Sequence, residues 1–326
     1  MNKYLIFRTD RIGDFLLTAI LIKSIKRNDP NSYIKIVASE KNFNYIKSFT
    51  IVDDVILFKK GIINRFKLIN SLKKDKYKAV IIHDSKKRSS FISLFLKTNL
   101  KVFSNSNNNI SYFADIKNIL NSLNFNYDKS DLDTLNNRSY HGLGMNQYYH
   151  QDWPPPEGID DYFEKIKNFN DSFILFHFDE KWLHKKYISS YSNIEPSESE
   201  LMSFLNSIVD KTNKNVVVTT GLDASIFGAG KILINLSIDN INNKIIFFPC
   251  YLNFLDIESL IDKSELLISC HGAVSHVASA KSIRQIDIIE EEKINFYRKW
   301  TDHFRNYKSI NRKNFNLLAN EIINLL

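Results

Sequence analysis

Short apolar runs alternate with longer amphipathic patterns along the first half of the chain. The short runs predict strands, and apolar residues recurring every three or four positions predict helices. Strands are predicted at Tyr4–Phe7, Tyr33–Ala38, Asp54–Phe58, Ala79–His83 and Lys101–Phe103. Helices are predicted at Phe15–Lys26, Ile63–Lys73, Ser89–Leu96 and Tyr112–Leu123. Strands separated by helices of this length are typical of βαβ units on a parallel sheet.

The alternation stops at a proline-rich segment. Residues 151–160 hold Pro154, Pro155 and Pro156, three of the six prolines in the chain. Consecutive prolines cannot continue a helix or a central strand, so we predict a stiff linker there. This linker divides a first domain, 1–150, from a second domain, 161–312. The amphipathic stretch 313–326 predicts a C-terminal helix that packs back on the first domain.

The same alternation resumes after the linker. Strands are predicted at Phe173–His177, Asn215–Thr219, Ile245–Phe248, Leu266–Ser269 and Gln285–Ile289. Helices are predicted at Ser197–Lys211, Leu255–Lys263 and Ala273–Ala280. The fold class is therefore α/β, with two Rossmann-like domains expected to face each other across a cleft. Ligands of such sheets bind at the carboxyl ends of the strands, where candidate chemistry should be found.

Charge is divided unequally between the two halves. Residues 1–150 hold 25 basic and 12 acidic side chains, a net charge of +13, whereas residues 151–326 carry −5. The first half should therefore prefer an anionic partner, such as nucleic acid, a membrane surface or an acidic substrate. Nucleic acid is disfavoured because no recognisable binding module is present. Apolar runs too short to span a bilayer, an N-terminus unlike a signal peptide and only two cysteines predict a cytoplasmic protein.

The turn after the first strand carries a candidate carboxylate. It reads Arg8-Thr9-Asp10-Arg11-Ile12-Gly13-Asp14 and leads into a helix. Asp14 is either a cap, accepting hydrogen bonds from free N–H groups at the helix start, or a general base at the mouth of the cleft. The single glycine matches neither a dinucleotide fingerprint nor a P-loop.

A second candidate site follows a strand of the second half. Cys270-His271-Gly272 runs into the small-residue helix that begins at Ala273. Backbone N–H groups at such a helix start bind anions, and His271 and Ser275 are possible further donors. The alternative is a tight turn with His276 facing the core. The His-x4-His spacing lacks an acidic partner, so no metal site is predicted.

Two further loops after strands carry clustered cations. In one, Lys181 follows Phe178-Asp179-Glu180 and is a point charge suited to a diphosphate. In the other, Lys86-Lys87-Arg88 follows His83 and is suited to an anionic acceptor. Each loop is equally consistent with a solvated charged surface. The cysteines are interpreted as small buried residues.

Taken in order, four segments resemble glycosyltransferase family 9, the heptosyltransferase-type enzymes of lipopolysaccharide assembly. They are Arg8–Thr18, Lys76–Asp84, Lys181-Trp182 and Pro249–Ala280, and the similarity spans roughly residues 1–290. The family usually has Asp-Thr-Gly where this chain has Cys270-His271-Gly272, so an imidazole replaces a carboxylate. Glu290-Glu291-Glu292 likewise replaces a Gly/Pro-rich loop.

The resemblance implies a GT-B fold and an inverting, metal-independent transfer from a nucleotide-sugar donor, with no cofactor. Asp14 would be the base that deprotonates the acceptor hydroxyl. The donor phosphates would be bound by Lys181, His271, Gly272, Ala273, Ser275 and His276. The nucleobase would lie near Pro249, Cys250 and Tyr251. The acceptor would be bound by Arg11, Gly13, His83, Lys86, Lys87 and Arg88.

The partners expected from this resemblance are a nucleotide sugar and an anionic glycan or glycolipid acceptor. Because the +13 lies on the acceptor half, peripheral contact with the inner face of an anionic cytoplasmic membrane is also expected. Two other functions stay open. One is a sugar-nucleotide 2-epimerase, which needs no acceptor. The other is a non-catalytic glycan- or nucleotide-binding protein, which the altered Cys270-His271-Gly272 sequence motivates.

Overall fold

The computed structural model describes most of the 326-residue chain. The described residues are 1–105, 110–135, 173–183, 194–221, 228–248, 252 and 254–326. They form two compact units. The first unit consists of the chain up to Tyr140 together with Asn295–Phe304, and the second unit consists of the rest. The proline-rich segment 151–160 lies outside the described residues, as do Pro249, Cys250 and Tyr251.

The first unit is built on a five-stranded parallel sheet. Its strands are β1 (Lys3–Arg8), β2 (Tyr33–Ala38), β3 (Asp54–Leu57), β4 (Lys76–Ile82) and β5 (Lys97–Phe103). Their spatial order is β3-β2-β1-β4-β5, and every pair is parallel. The helices are α1 (Ile12–Asn28), α2 (Phe43–Lys47), α3 (Ile62–Leu72), α4 (Lys87–Ser93) and α5 (Tyr112–Ser122). Side chains of β1 and β4 are almost wholly buried because helices cover both faces of a parallel sheet.

The second unit has a six-stranded parallel sheet. Its strands are β6 (Phe173–His177), β7 (Val216–Thr219), β8 (Ile245–Phe248), β9 (Ser264–Cys270), β10 (Arg284–Ile289) and β11 (Tyr307–Asn311). Their order is β11-β10-β9-β6-β7-β8. Its helices are α6 (Glu198–Thr212), α7 (Ala229–Asp239), α8 (Phe254–Lys263), α9 (Ala273–Ala280) and α11 (Phe315–Leu325). Helix α10 (Ile294–Thr301) lies between β10 and β11 in the chain but belongs to the first unit from Asn295 onward. The predicted α/β class with two Rossmann-like sheets is confirmed.

Each sheet has one point where the strand order reverses. It lies between β1 and β4 in the first sheet and between β6 and β9 in the second. At such a point the adjacent loops leave on opposite faces and open a crevice beyond the carboxyl ends of the strands, which is where ligands bind. All four loops singled out from the sequence follow one of these four strands.

The C-terminal segments differ from the predicted boundaries. The helix predicted at 313–326 belongs to the second unit, where the Phe315 ring lies 6.4 Å from Trp182 and 5.8 Å from Phe204. Its apolar residues Phe315, Leu318 and Ile322 are buried in the core of that unit. The segment that does join the first unit is Asn295–Phe304, whose Trp300 ring lies 3.8 Å from that of Tyr112.

Helix α1 also begins earlier than predicted, at Ile12 instead of Phe15. β11 was not predicted because polar residues interrupt its short edge-strand sequence, Tyr-Lys-Ser-Ile-Asn. Among the described residues, no helix combines the length and the apolar character needed to cross a bilayer.

Candidate functional site

The loop after β1 places Asp14 in the first turn of α1. Asp14 is the third residue of that helix, and its Oδ2 accepts a hydrogen bond of 2.9 Å from the backbone N–H of Arg11. The carboxylate therefore satisfies a donor that the helix start leaves open. The capping interaction considered from the sequence is present, and the same side chain also borders a cavity. Capping and a chemical role are thus compatible at this residue.

The cavity in the first unit has a volume of about 440 Å³ and opens beyond the carboxyl ends of the strands. It is lined by Thr9, Asp10, Arg11, Asp14, Ser39, Glu40, Lys41, Phe58, Lys60, Lys86 and Arg88. Five of these side chains are cationic and three are acidic, so the lining favours an anionic ligand. Ser39–Lys41 and Phe58–Lys60 were not singled out from the sequence. The two segments directly follow β2 and β3, and this position after a strand is the sequence feature from which they could have been predicted as part of the site.

A buried hydrogen-bond network connects the two sides of this cavity. Asp84 accepts hydrogen bonds from the hydroxyls of Thr9 at 2.6 Å and Ser89 at 2.7 Å. Lys86 donates to the carbonyl oxygen of Thr9 at 2.9 Å and pairs with Asp10. The turn after β1 and the start of α4 are therefore held together, which fixes the cations of α4 relative to Asp14.

The six residues expected to bind the acceptor occupy three kinds of position. Arg11, Lys86 and Arg88 line the cavity together with Asp14. Lys87 is exposed and Gly13 is buried in α1, and neither is part of the cavity lining. His83 is 3% exposed, with Nδ1 3.0 Å from the Thr18 hydroxyl, and burial holds its pKa well below the usual value. His83 is thus a neutral interior residue placed behind the lining.

In the second unit, Lys181 approaches the turn after β9. Its Nζ lies so close to Gly272 that a Cβ atom there would be 2.5 Å away. The ammonium also donates to Asp179 Oδ2 at 2.7 Å. Burial opposes its charge, but the Asp179 carboxylate outweighs this effect and raises the pKa of Lys181. A permanent cation therefore sits against the N-terminus of α9, and a side chain at position 272 would displace it.

The turn itself is held by a buried carboxylate that the sequence analysis did not single out. Asp287 on β10 has no exposed side-chain surface and accepts hydrogen bonds from His271 Nδ1 at 2.7 Å and Ser275 at 2.8 Å. Tyr307 donates to the same carboxylate at 3.0 Å. The signal available in the sequence was a lone Asp inside the apolar strand β10. Asp287 fixes the ring of His271 from the neighbouring strand.

The other residues expected at the donor site differ in accessibility. Gly272 and Ala273 are partly exposed at the start of α9. Ser275 is wholly buried, and its oxygen accepts the N–H of Gly272 at 3.2 Å. His276 is 6% exposed. Ser275 therefore acts on the turn geometry and accepts the Gly272 N–H, while Lys181 and the partly exposed backbone at Ala273 are the accessible part of this turn.

Beneath this turn, Cys270 is buried, as the sequence indicated. Its sulfur accepts a hydrogen bond of 2.7 Å from Arg312 Nη1, and burial raises the pKa of the thiol to about 12. The Arg312 guanidinium lies 5.4 Å from the ring centre of Trp182. Cys270 therefore stays a neutral thiol and supplies no nucleophile at neutral pH.

His177 at the end of β6 should make the stability of the second unit depend on pH. Burial lowers its pKa to about 4, although Asp179 opposes the shift. The unfolded chain binds this proton near pH 6.5, so the stabilisation is complete above that pH and is lost as pH falls towards 4. Between pH 7 and pH 5 we expect the free energy of unfolding to drop by about 2 kcal/mol more in the wild type than in His177→Gln. Urea unfolding at both pH values measures this difference, and parallel losses in the two proteins would contradict it.

Comparisons with known proteins identify the fold. No family model matches the chain, and no curated protein matches it either. Among solved structures, Escherichia coli heptosyltransferase WaaC with ADP is 12% identical, with a TM-score of 0.67 over 99% of this chain and 98% of that one. A family 9 glycosyl transferase from Veillonella parvula is 12% identical, with a TM-score of 0.64 over 98% and 89%. UDP-GlcNAc 2-epimerase from Methanocaldococcus jannaschii is 11% identical, with a TM-score of 0.55 over 99% and 92%. The chain therefore has the fold of GT-B glycosyltransferases of the family 9 type.

Proposed function

We propose that the chain is an inverting glycosyltransferase that works without a metal ion or cofactor. It moves a sugar from a nucleotide-sugar donor to a lipopolysaccharide-like or other cell-surface glycan. The observation that carries this proposal is the pairing of Lys181 with Gly272 at the strand-order reversal of the second sheet. Among the similar structures, one is a heptosyltransferase with ADP and another is a family 9 glycosyl transferase.

In this proposal the second unit binds the donor through its phosphates. The diphosphate lies between the Lys181 ammonium and the backbone N–H groups of the first turn of α9, next to Gly272 and Ala273. Negative charge grows on the diphosphate as its bond to the sugar breaks, so donors fixed in advance stabilise the transition state more than the ground state. The imidazole of His271, oriented by Asp287 at 2.7 Å, borders the same group. Pro249, Cys250 and Tyr251 are proposed to lie near the nucleobase.

The first unit binds the acceptor in the cavity lined by Arg11, Lys86 and Arg88. Asp14 removes the proton of the acceptor hydroxyl while that oxygen attacks the anomeric carbon. A new carbon–oxygen bond forms on the face opposite the diphosphate. The bond to the diphosphate breaks, and its electron pair leaves with the nucleotide. The proton stays on Asp14 until solvent removes it.

The charge of the cavity indicates the acceptor's chemistry. Five cations against three carboxylates in its lining favour a glycan that bears phosphates or acidic sugars. Such acceptors are carried on lipids, so we propose that the protein acts in the cytoplasm, at the inner face of the cytoplasmic membrane.

A second candidate is a sugar-nucleotide 2-epimerase. The likeness to the Methanocaldococcus jannaschii UDP-GlcNAc 2-epimerase favours it, as do the imidazoles and carboxylates grouped around His271. An epimerase consumes its nucleotide sugar without an acceptor. Turnover of a nucleotide sugar by the purified protein alone would replace the transferase proposal with this one.

A thermal-shift screen with nucleotide diphosphates and nucleotide sugars tests the proposal most directly. A donor present at 100 times its Kd should raise the free energy of unfolding by about 2.7 kcal/mol. The matched nucleosides, which lack phosphates, should give much smaller shifts because they do not reach Lys181. A protein that responds to no nucleotide diphosphate would refute the proposed donor site. A shift without transfer to any acceptor would indicate a non-catalytic binding protein.

A further inference from the structure

Helices α3 and α4 carry a concentration of exposed apolar side chains. Half of the large hydrophobic residues that are exposed in the described part of the chain lie on or directly after these two helices. They are Ile62, Ile63, Phe66, Phe91, Leu94 and Phe95. We refer to these six residues as the α3–α4 surface. Exposed apolar groups in such a number on one part of a protein mark a binding surface.

The two helices contribute to one continuous face. The Arg65 guanidinium lies 6.0 Å from the ring centre of Phe91, and the Lys73 ammonium lies 5.2 Å from that of Phe95. The Phe91 and Phe95 rings are themselves 5.1 Å apart. Positions 62, 66 and 73 fall on one side of a helix with 3.6 residues per turn. The side of α3 that reaches Phe95 is therefore the side that carries Ile62 and Phe66.

Positive charge surrounds this face. The segment Lys59–Lys97 contains twelve Lys and Arg residues against two acidic residues. The two acids do not offset these cations, since Asp75 pairs with Lys3 and Lys35 from outside the segment. Asp84 is buried and accepts hydrogen bonds from two hydroxyls. Acids outside the segment pair with two of its cations, Lys78 with Asp29 and Lys86 with Asp10, so the segment keeps a large positive excess. A surface that combines aromatic and aliphatic side chains with an excess of cations has the composition of elements that lie in the interface of an anionic bilayer.

We propose that the α3–α4 surface inserts its apolar side chains into the interfacial region of an anionic lipid bilayer. A second copy of the chain is a poor occupant. A two-fold interface places a patch against itself, and here it would bring the positive excess of the segment against the same excess in the second copy. Anionic lipid headgroups complement those cations, and acyl chains accept the exposed rings.

The surface also adjoins the cavity of the first unit. Lys60 lines the cavity and stands two residues before α3 begins at Ile62. Lys86 and Arg88 line it at the start of α4. A bilayer bound to these helices therefore meets the rim of the cavity, so that a lipid-linked glycan reaches Asp14 without leaving the membrane. This last step rests on the proposed function, whereas lipid binding itself does not.

Flotation of the full chain with vesicles tests the proposal. Vesicles of phosphatidylcholine alone are compared with vesicles in which a quarter of the lipid is phosphatidylglycerol. We expect the protein to bind the anionic vesicles about tenfold more tightly or more. High salt should weaken this binding, but the part that comes from the inserted apolar side chains should persist. Equal binding to both vesicle types, or no binding to either, would overturn the proposal.

Two double variants, each of which replaces two exposed apolar side chains with serine, separate the effect of this surface from a general effect of exposed hydrophobic residues. Ile63→Ser/Phe66→Ser removes side chains that are 72% and 56% exposed, so the fold should be retained. Ile238→Ser/Ile241→Ser removes side chains that are 76% and 95% exposed in the second unit. The first should reduce vesicle binding about tenfold or more, and the second should leave it unchanged. Equal effects of the two variants, or no effect of the first, would contradict the proposal.

Two further measurements distinguish lipid binding from dimer formation and from the proposed function. If sedimentation shows a dimer that Ile63→Ser/Phe66→Ser abolishes while vesicle binding stays intact, the surface is a protein interface and the lipid proposal is overturned. The thermal shift with nucleotide diphosphates should be the same in this variant as in the wild type. A wild type that binds vesicles but no nucleotide would refute the proposed function alone. A protein that binds nucleotide but no vesicles would refute the lipid surface alone.

Discussion

Asp14→Asn is expected to lower kcat for sugar transfer by about 10²–10⁴-fold while the protein stays folded. The carboxylate is proposed to take the proton of the acceptor hydroxyl, and an amide cannot accept it. Donor binding should be unaffected, because Asp14 belongs to the first unit and the proposed phosphate site to the second. Transfer rates together with nucleotide thermal shifts measure both statements. An Asp14→Asn protein with the wild-type rate would show that this residue is not the base.

Asparagine is chosen because Asp14 also stabilises α1. Its Oδ2 accepts the backbone N–H of Arg11 at 2.9 Å, and the amide oxygen of Asn can accept the same hydrogen bond. Asp14→Ala loses this interaction and should cost about 1 kcal/mol of stability in addition to the activity. Comparing the two variants therefore separates the proton transfer from the capping of the helix.

Asp10 provides a matched control in the same cavity. Its carboxylate forms ion pairs with Arg8, at 3.2 Å, and with Lys86. Asp10 is therefore assigned a structural role in the cavity wall. Asp10→Asn should change kcat by less than about tenfold, because no proton transfer is assigned to it. A loss at Asp10 that equals or exceeds the loss at Asp14 would move the assignment of the base to Asp10.

Much of the fold could be predicted from local sequence. The buried strands β1, β4, β6 and β9 are short runs rich in β-branched and aromatic residues. Their composition alone is enough to predict a buried strand at each place. Within each sheet, the loops that follow these strands therefore lie at the same edge, and this placement predicted Asp14 in the first sheet and Lys181 in the second. β11 could not be predicted in this way because polar residues interrupt its short sequence. Helix α10 has four apolar or aromatic residues among eight, but Thr301 is its one buried residue, so it has no buried apolar face.

The candidate sites were predictable only where neighbours in sequence supply the chemistry. Asp287 was missed because its role depends on His271 and Ser275, which join it only when β9 and β10 pair. His83 was expected at the acceptor site because it follows a strand, yet its ring turns into the core beside Thr18. Strand ends predict which loops meet, whereas side-chain direction is decided by packing across the sheet.

Gly272→Ala is expected to weaken nucleotide-sugar binding about tenfold, through its effect on Lys181. The added Cβ would lie 2.5 Å from Lys181 Nζ, which must move, while the nearest backbone atom, the Cys270 carbonyl oxygen, is 3.7 Å away. Because only the flexible end of a lysine is displaced, the fold should remain intact. Lys181→Ala removes the charge altogether and should weaken binding about 10- to 100-fold, as expected for a charged hydrogen bond.

The double variant decides whether the glycine acts through the lysine. If the ammonium mediates the effect, adding Gly272→Ala to Lys181→Ala should cost nothing further, and the two losses should be non-additive by about 1 kcal/mol or more. Additive losses, measured by titration calorimetry with the nucleotide diphosphate, would mean that the backbone at Gly272 contacts the donor directly. Gly221→Ala is the control, since its Cβ would lie 2.9 Å from Glu180 Oε2 and so displaces a neighbouring carboxylate and not the cation. A loss at Gly221→Ala equal to that at Gly272→Ala would show that the loop, and not the Lys181 charge, determines donor affinity.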